Sequence, residues 1–344
     1  MLQKSPASLR AHEKGSYAIS LVTFNGEKYL PRCLQSVASQ TKPPAEYRIW
    51  DNASTDSSRV SISKNTQKID CVFSSENTGF ARAHNDAIRS TRSEYILILN
   101  QDTVLEPSYC ELLIAFMDKH PDVGSVSGLL IRIRSFDDIP RAASIDACGI
   151  SLAQSQHAYL THSGLAASHC TSEQEVFGVP ATCALYRRLA LEDCMLDRQG
   201  KNEYFDDDFF MYKEDVDLAY RMRLRQWKSY CIPQAICYHV RSAKSSFLVV
   251  NRGAHIIRYW SYRNHWYVLF KNVPAALLPF VGIQMIFYEC AKCIYMILCE
   301  PTQLKAFGEL WNMYAVMKKK RSIIQLRRTC SVVDLLKWMK RIFI

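Results

Sequence analysis

Between Ala18 and Asp102 the chain alternates short apolar runs with helical patterns, and every apolar run stops on polar residues. AISLVTFN (Ala18–Asn25) leads into EKYLPRCLQSVASQ, where Leu30, Leu34 and Val37 recur at helical spacing. YRIW runs into DNASTDSS, and IDCVFS runs into SENTGF, after which ARAHNDAIRS reads as a helix. YILIL ends on Asn100-Gln101-Asp102. Short strands alternating with helical segments predict an α/β domain with a largely parallel sheet. Ligands of such sheets bind beyond the carboxyl ends of the strands.

The polar residues collect at those ends: Thr23 and Asn25, then Asp51 to Asp56, Asn77 to Asn85, and Asn100 to Asp102. Each cluster has a plain structural reading, as a turn, a helix cap or a loop whose glycine supplies positive φ. Four of them at four successive strand ends favour one shared crevice. A nucleotide suits it. Asp51 can accept from a base imide N–H, and Arg82 can lie over the base or pair with a phosphate. Neither a G-x-x-x-x-G-K-[ST] nor a G-x-G-x-x-G motif occurs. A diphosphate would then be neutralised by a divalent cation, Mn2+ or Mg2+, held by a carboxylate.

The second rich stretch is NEYFDDDFFMYKEDVDLAYRMRLRQWK, Asn202–Lys228. Acidic residues at a helix N-terminus account for one or two of its carboxylates. Asp206, Asp207, Asp208, Glu214, Asp215 and Asp217 lie within twelve residues. Like charges so close repel unless they have work or partners.

Taken in order, VTFNGEKYLPRCLQSVASQ, DNASTDSS, ENTGFARAHNDAI, YILILNQDTVLEP, FGVPATCALYRR and YFDDDFFMYKEDVDLAYRMRLRQW resemble the inverting glycosyltransferases of family 2, in their rhamnosyltransferase-like bacterial branch. The resemblance covers about residues 18–240. It implies a GT-A fold, the Rossmann-like α/β fold of nucleotide-diphospho-sugar transferases, with a nucleotide-sugar donor and a divalent metal. By it the donor is bound by Thr23, Phe24, Asn25, Asp51, Asn52, Ser54, Asp56, Asn77, Gly79, Phe80, Arg82, Asn85, Asn100, Asp102 and Lys244. The family's D-x-D motif reads here as Asn100-Gln101-Asp102, one carboxylate short, and the metal falls to Asp102 with His239. A satisfied strand-end histidine is the plain alternative for His239. Asp215 becomes the base that takes the acceptor hydroxyl proton. Asp207 and Glu214 bind acceptor hydroxyls, and Gly178 and Thr182 line the sugar pocket.

Charge separates the chain into two parts. The formal net charge is +10, yet residues 241–344 alone carry +13 and the rest −3. A basic tail on a near-neutral body points to an anionic partner. The reading is a flexible tail over 1–16, a catalytic domain over 17–240 and a basic amphipathic helical extension over 241–344. Val273–Cys299 is long enough to span a bilayer. Pro274, Pro279, Gln284, Glu289 and Lys292 interrupt it, so a helix lying in the membrane interface or packed on the domain is expected instead. Lys318-Lys319-Lys320-Arg321 would face an anionic leaflet. Ser331 would cap a last amphipathic helix running to Phe343. Large aliphatics interleave these charges, which argues against nucleic acid. Thirteen scattered cysteines and no apolar leader predict a reducing, cytoplasmic setting, peripheral on the inner face of the membrane. The predicted acceptor is a lipid-linked or surface glycan, and L-rhamnose from dTDP-rhamnose a candidate sugar. The alternatives are a catalytically weak nucleotide-sugar-binding scaffold and a sugar nucleotidyltransferase.

Overall fold

The computed structural model describes residues 13–64, 69–141, 144–198, 200–241 and 252–340. Four parallel strands form one half of the central sheet. Glu13–Thr23 lies between Glu46–Asp51 and Ser93–Asn100, and Asp70–Phe73 pairs outside Glu46–Asp51. Beyond Ser93–Asn100 the sheet continues through antiparallel Cys183–Arg187, then Val123–Ile133, then Lys228–Val240. The sheet is therefore mixed rather than largely parallel, and the parallel half carries the polar strand ends.

Alternation along the strands builds two cores. Ile19, Leu21, Leu97 and Leu99 point to one face, where Leu30, Leu34 and Val37 of the helix Leu30–Ala38 and Leu113 of Tyr109–Lys119 cover them. Ala18, Ile96 and Ile98 point to the other, under Ala81 and Ile88 of Gly79–Arg89 and Leu218 and Met222 of Glu214–Leu224. The remaining face of Glu214–Leu224 meets a third cluster. There Val216, Tyr220 and Leu224 pack with Tyr267, Val268, Met317 and Ile324 from the helices Arg252–Asn272 and Tyr314–Arg327.

The acidic stretch finds its partners here. Lys271 is fully buried and its ammonium sits between Asp206 and Asp217, both also fully buried, at 2.8 Å from Asp217 Oδ1. Lys320 is paired to Asp206, to Glu203 at 3.1 Å and to Asp208 at 2.8 Å. Burial would raise the Asp206 pKa, but the two ammonium groups outweigh it and keep the carboxylate ionised. Two expectations for the tail change. Lys320 turns inward to these carboxylates, and Arg321 donates to the Phe270 and Val273 carbonyls, so half of the 318–321 cluster is structural. The Ser331 capping box forms with Asp334, but its helix ends at Leu336. Met339–Lys340 instead pair as a strand with Leu152 and Ala153, because an edge strand there is open to them.

Lys271→Ala should cost about 3–5 kcal/mol, since it leaves two carboxylates buried without their shared cation. Chemical denaturation should read this as a lower midpoint. An unchanged midpoint would mean that water replaces the ammonium at no cost.

Candidate active site

The carboxyl ends of the parallel strands bring Thr23, Asp51 and Asn100 side by side, with Thr23 opposite Asp51 and Val22 opposite Asn100. Gln101 ties this edge together. Its carbonyl oxygen accepts from Thr23 Oγ1 and from the Phe24 N–H at 3.0 Å, and its Nε2 donates to the Phe24 carbonyl at 3.1 Å. The loop after Thr23 is knitted to the loop after Asp51. Asn25 N–H donates to Ser54 Oγ at 3.0 Å, and Glu27 N–H to Asp56 Oδ2 at 3.0 Å. Asn25 takes a positive φ of 49°, a strained backbone for a residue with a side chain. Asp51 is fully buried. Its Oδ1 accepts from Ser54 N–H and Arg59 Nε, while its Oδ2 is buried with no partner among the described residues. An unpaired buried acceptor is costly, and a bound donor group would satisfy it.

Several polar residues of this edge are spent on holding backbone. Asn52 donates to Asn77 Oδ1 at 2.8 Å and to the Gly79 carbonyl, and accepts from Thr78 N–H. Asn85 spends its whole amide on the acidic stretch: Nδ2 donates to the Phe205 carbonyl and Asp207, and Oδ1 accepts from Tyr204 and Phe205 N–H. These residues position the crevice and leave little capacity for a ligand. Gly79 has φ +83°, and any Cβ there would meet the Phe210 backbone. Phe80 packs on His84 and Phe205. Arg82 is half exposed and lies 3.8 Å from Asp207, free to swing over the crevice.

Asp102 and His239 come together although 137 positions separate them in sequence. The strand Lys228–Val240 pairs His239 with Thr103, and Val240 N–H donates to the Asp102 carbonyl. His239 Nε2 is 3.5 Å from Asp102 Oδ2, and Nδ1 is 2.7 Å from Asp146 Oδ2. Asp146 is nearly buried and also binds Arg132 and Arg241. Burial would lower the His239 pKa, but its hydrogen bonds to Asp102 and Asp146 overcome this and hold it at about 9. Asp102 Oδ1 is buried without a partner. An orphaned carboxylate oxygen beside an imidazole whose far nitrogen is fixed by a second carboxylate offers donors of the kind a divalent cation would take, once the imidazole gives up its proton. The residues fit Mn2+ or Mg2+. Lys244 lies outside the described residues.

The opposite wall is the N-terminus of Glu214–Leu224. The approach to it is strained: Phe210, Tyr212 and Lys213 have φ of 59°, 67° and 69°. Asn264 of the extension holds that turn, its Nδ2 reaching the Phe209, Met211 and Tyr212 carbonyls at 2.8 Å each. Asp215 Oδ2 accepts from Ala181 N–H at 3.5 Å, so this carboxylate faces the Ala181–Cys183 turn that contains Thr182. Gly178 lies against Ala219 of the same helix, a contact that leaves no room for a Cβ. The Tyr212 hydroxyl is within electrostatic range of both Glu214 and Asp102. Burial, then repulsion from Asp215, pushes the Glu214 pKa up to about 8. Burial also raises Asp215, against the pull of Lys213. Both carboxyls are raised and they act on each other, so the two share a proton between them.

Asp146, Asn264 and Lys271 were not signalled by any local motif, and Gln101, inside the Asn100-Gln101-Asp102 motif, was given no role of its own. They act through partners far away in sequence.

The family model described as glycosyl transferase family 2 matches residues 19–195, just over half of the chain. A putative glycosyltransferase EpsH of Bacillus subtilis is 26% identical over 208 residues, 58% of this chain and 56% of its own. The N-acetylglucosaminyl-diphospho-decaprenol L-rhamnosyltransferase of Mycobacterium tuberculosis is 25% identical over 238 residues, 63% of this chain and 74% of its own. Among solved structures, GalNAc-T7 with UDP, GalNAc and Mn2+ superposes with a TM-score of 0.57 at 12% identity, covering 74% of this chain and 48% of that one. S. aureus TarS gives 0.52 at 16%, covering 79% and 43%. These likenesses make the fold GT-A.

A carboxyl with a raised folded pKa favours folding at low pH and loses that advantage as pH climbs through the folded value. Glu214→Gln cannot ionise. Its melting temperature relative to wild type should therefore rise between pH 4.5 and about 8 and level off above, a gain on the order of a few kcal/mol. Thermal melts across that window test it. A difference that does not change with pH would mean Glu214 is ionised in the folded protein throughout.

Proposed function

Since the chain belongs to glycosyl transferase family 2, we propose that it is an inverting glycosyltransferase that moves a sugar from a nucleotide-sugar donor to a lipid-linked glycan. The observation that carries this is the pair of orphaned buried oxygens, Asp51 Oδ2 and Asp102 Oδ1, at one wall, and the buried Glu214-Asp215 pair at the other. Asp51 receives the base imide of the donor. Phe24 and the Thr23–Asn25 backbone flank base and ribose, and Arg82 closes from the exposed side. Asp102 and His239 would hold the cation, which when bound lends positive charge to the departing diphosphate. Asp215 takes the proton of the acceptor hydroxyl as that oxygen attacks the anomeric carbon from the face opposite the diphosphate. The proton ends on Asp215 and the bonding electrons on the leaving phosphate oxygen. Glu214, neutral at this stage, donates a hydrogen bond to the sugar or the acceptor.

A lipid-linked acceptor is supported by the extension. Leu278–Cys299 turns its polar residues inward, with Glu289 on His265 at 2.6 Å and Tyr288 on His157 at 2.8 Å. Its apolar residues Phe280, Ile283, Ile286, Phe287, Ile294 and Leu298 stand in solvent. One helix among the described residues, Ala275–Cys299, is long and apolar enough to cross a membrane. The inward polar face suits a helix that lies on the surface of one. Between it and Arg252–Asn272 runs an apolar cavity of about 1050 Å³, lined by Ile257, Tyr262, Phe287 and Met296 and flanked by Arg258 and Lys292. An isoprenoid chain would then occupy the cavity, with Arg258 and Lys292 at its lining to meet an anionic head. On this reading the enzyme works at the cytoplasmic face of the cell membrane. The M. tuberculosis relative makes L-rhamnose from its dTDP form the first donor to try.

Donor binding and hydrolysis measured across a panel of nucleotide sugars, with Mn2+, with Mg2+ and with EDTA, test the reading. One donor should bind in a metal-dependent way. Asp215→Asn should bind it equally well and lose turnover by about 10²–10⁴-fold. Turnover that survives in Asp215→Asn would move the base elsewhere. No binding of any donor, with or without a lipid acceptor, would end the transferase reading.

Ile283→Glu with Phe287→Glu should release the protein from anionic lipid vesicles in a flotation assay while donor hydrolysis is unchanged. Equal flotation of variant and wild type would remove this helix from the membrane contact.

A further inference from the structure

Away from the crevice, two sulfurs and an imidazole meet, with a third sulfur against one of them. Cys148 and Cys170 are joined by a disulfide. Cys231 Sγ lies 3.4 Å from Cys148 Sγ. The donor atoms of Cys148, His162 and Cys170 all lie within 4.8 Å of one another. All three cysteines are buried, and His162 Nδ1 is buried with no hydrogen-bond partner among the described residues. Gln174 Nε2 lies against both Cys148 and Cys170 sulfurs. Thiolate and imidazole ligands of one tetrahedral zinc ion are bound at about 2.0–2.3 Å and stand roughly 3–4 Å apart. In the reduced protein the freed Cys148 and Cys170 side chains would turn to bring all four donors to that spacing.

We infer that Cys148, His162, Cys170 and Cys231 form a closed structural Zn2+ site in the reduced protein, distinct from the oxygen-rich site at Asp102. A small-molecule dithiol delivers two electrons and two protons to the Cys148–Cys170 bond and leaves as its own cyclic disulfide. Zn2+ then displaces three thiol protons to solvent and takes the neutral His162 nitrogen as its fourth ligand. With four protein ligands the ion keeps no open position and so does no chemistry. Its work is to brace. Cys148 lies two residues after Asp146, and Cys231 lies on the strand Lys228–Val240, which carries His239. The ion would pin together the two segments that meet in the Asp146–His239 hydrogen bond.

The full chain, reduced with a dithiol and stripped with EDTA, is titrated with Co2+. The expected result is a thiolate-to-cobalt charge-transfer band that saturates at a single equivalent and is displaced by Zn2+. The band should survive in Asp102→Asn, disappear in Cys231→Ser and shift in His162→Ala. Absence of the band in reduced wild-type protein overturns the proposal, whatever the variants do. A band of full strength in Cys231→Ser overturns it as well.

Discussion

Lys271 is the point on which this molecule turns. Its ammonium is shut in between Asp206 and Asp217, with no water contact for any of the three. Such a group gains little net stability over a well-packed apolar one, because desolvation consumes most of the attraction. What it imposes is position. A cation in that place demands both carboxylates, and they belong to the two segments on either side of the strained turn before Asp215. Asn272 adds a bond to Asp217, and Asn264 gathers the carbonyls of the turn itself. The helix Arg252–Asn272 therefore belongs to the catalytic machinery as much as the sheet does. Nothing within the sheet would hold Phe210, Tyr212 and Lys213 at positive φ.

The crevice has the same logic in reverse. Much of the polar edge is committed to holding backbone. Asn52, Asn85 and Gln101 are examples, each with its amide committed. Where the fold is left open, acceptors stand alone: Asp51 Oδ2, Asp102 Oδ1 and Glu214 Oε2. The protein invests in keeping these groups aimed. Asp146 fixes His239 from behind, and Arg59 fixes Asp51. The cost of the unpaired oxygens is recovered only when something binds, which is how a preformed electrostatic site differs from a merely polar surface.

The strands and the shared edge were legible because their signals are local. Short apolar runs such as Ile96–Leu99, followed by polar residues, need no knowledge of the rest of the chain. Six carboxylates in twelve residues announced that partners existed. Which partners they were was not legible, since Lys271 and Lys320 lie more than fifty residues away and look like ordinary basic residues. The same gap misdirected the reading of Lys318–Arg321, where charge density suggested an anionic surface while two of the four face the interior. Asp146 sits in an unremarkable DAC sequence, and only the pairing of Lys228–Val240 with Val123–Ile133 brings it to His239.

The helix Leu278–Cys299 shows why amphipathic sequence needs a structure to be oriented. The sequence defines two faces but does not say which one meets the protein. Here Glu289 and His265 pair inside, Tyr288 reaches His157, and the domain supplies a polar lining that matches the polar face. The other face carries Phe280, Ile283, Ile286, Phe287, Ile294 and Leu298, all exposed, and large exposed apolar patches mark interaction surfaces. The polar side already satisfied its groups within the protein, so the apolar side is free to enter a lipid surface without dragging charge along. The apolar cavity opens beneath that same helix, with Arg258 and Lys292 at its lining. A substrate with a hydrocarbon tail and an anionic head would then meet each part of this surface in the order in which its own chemistry changes.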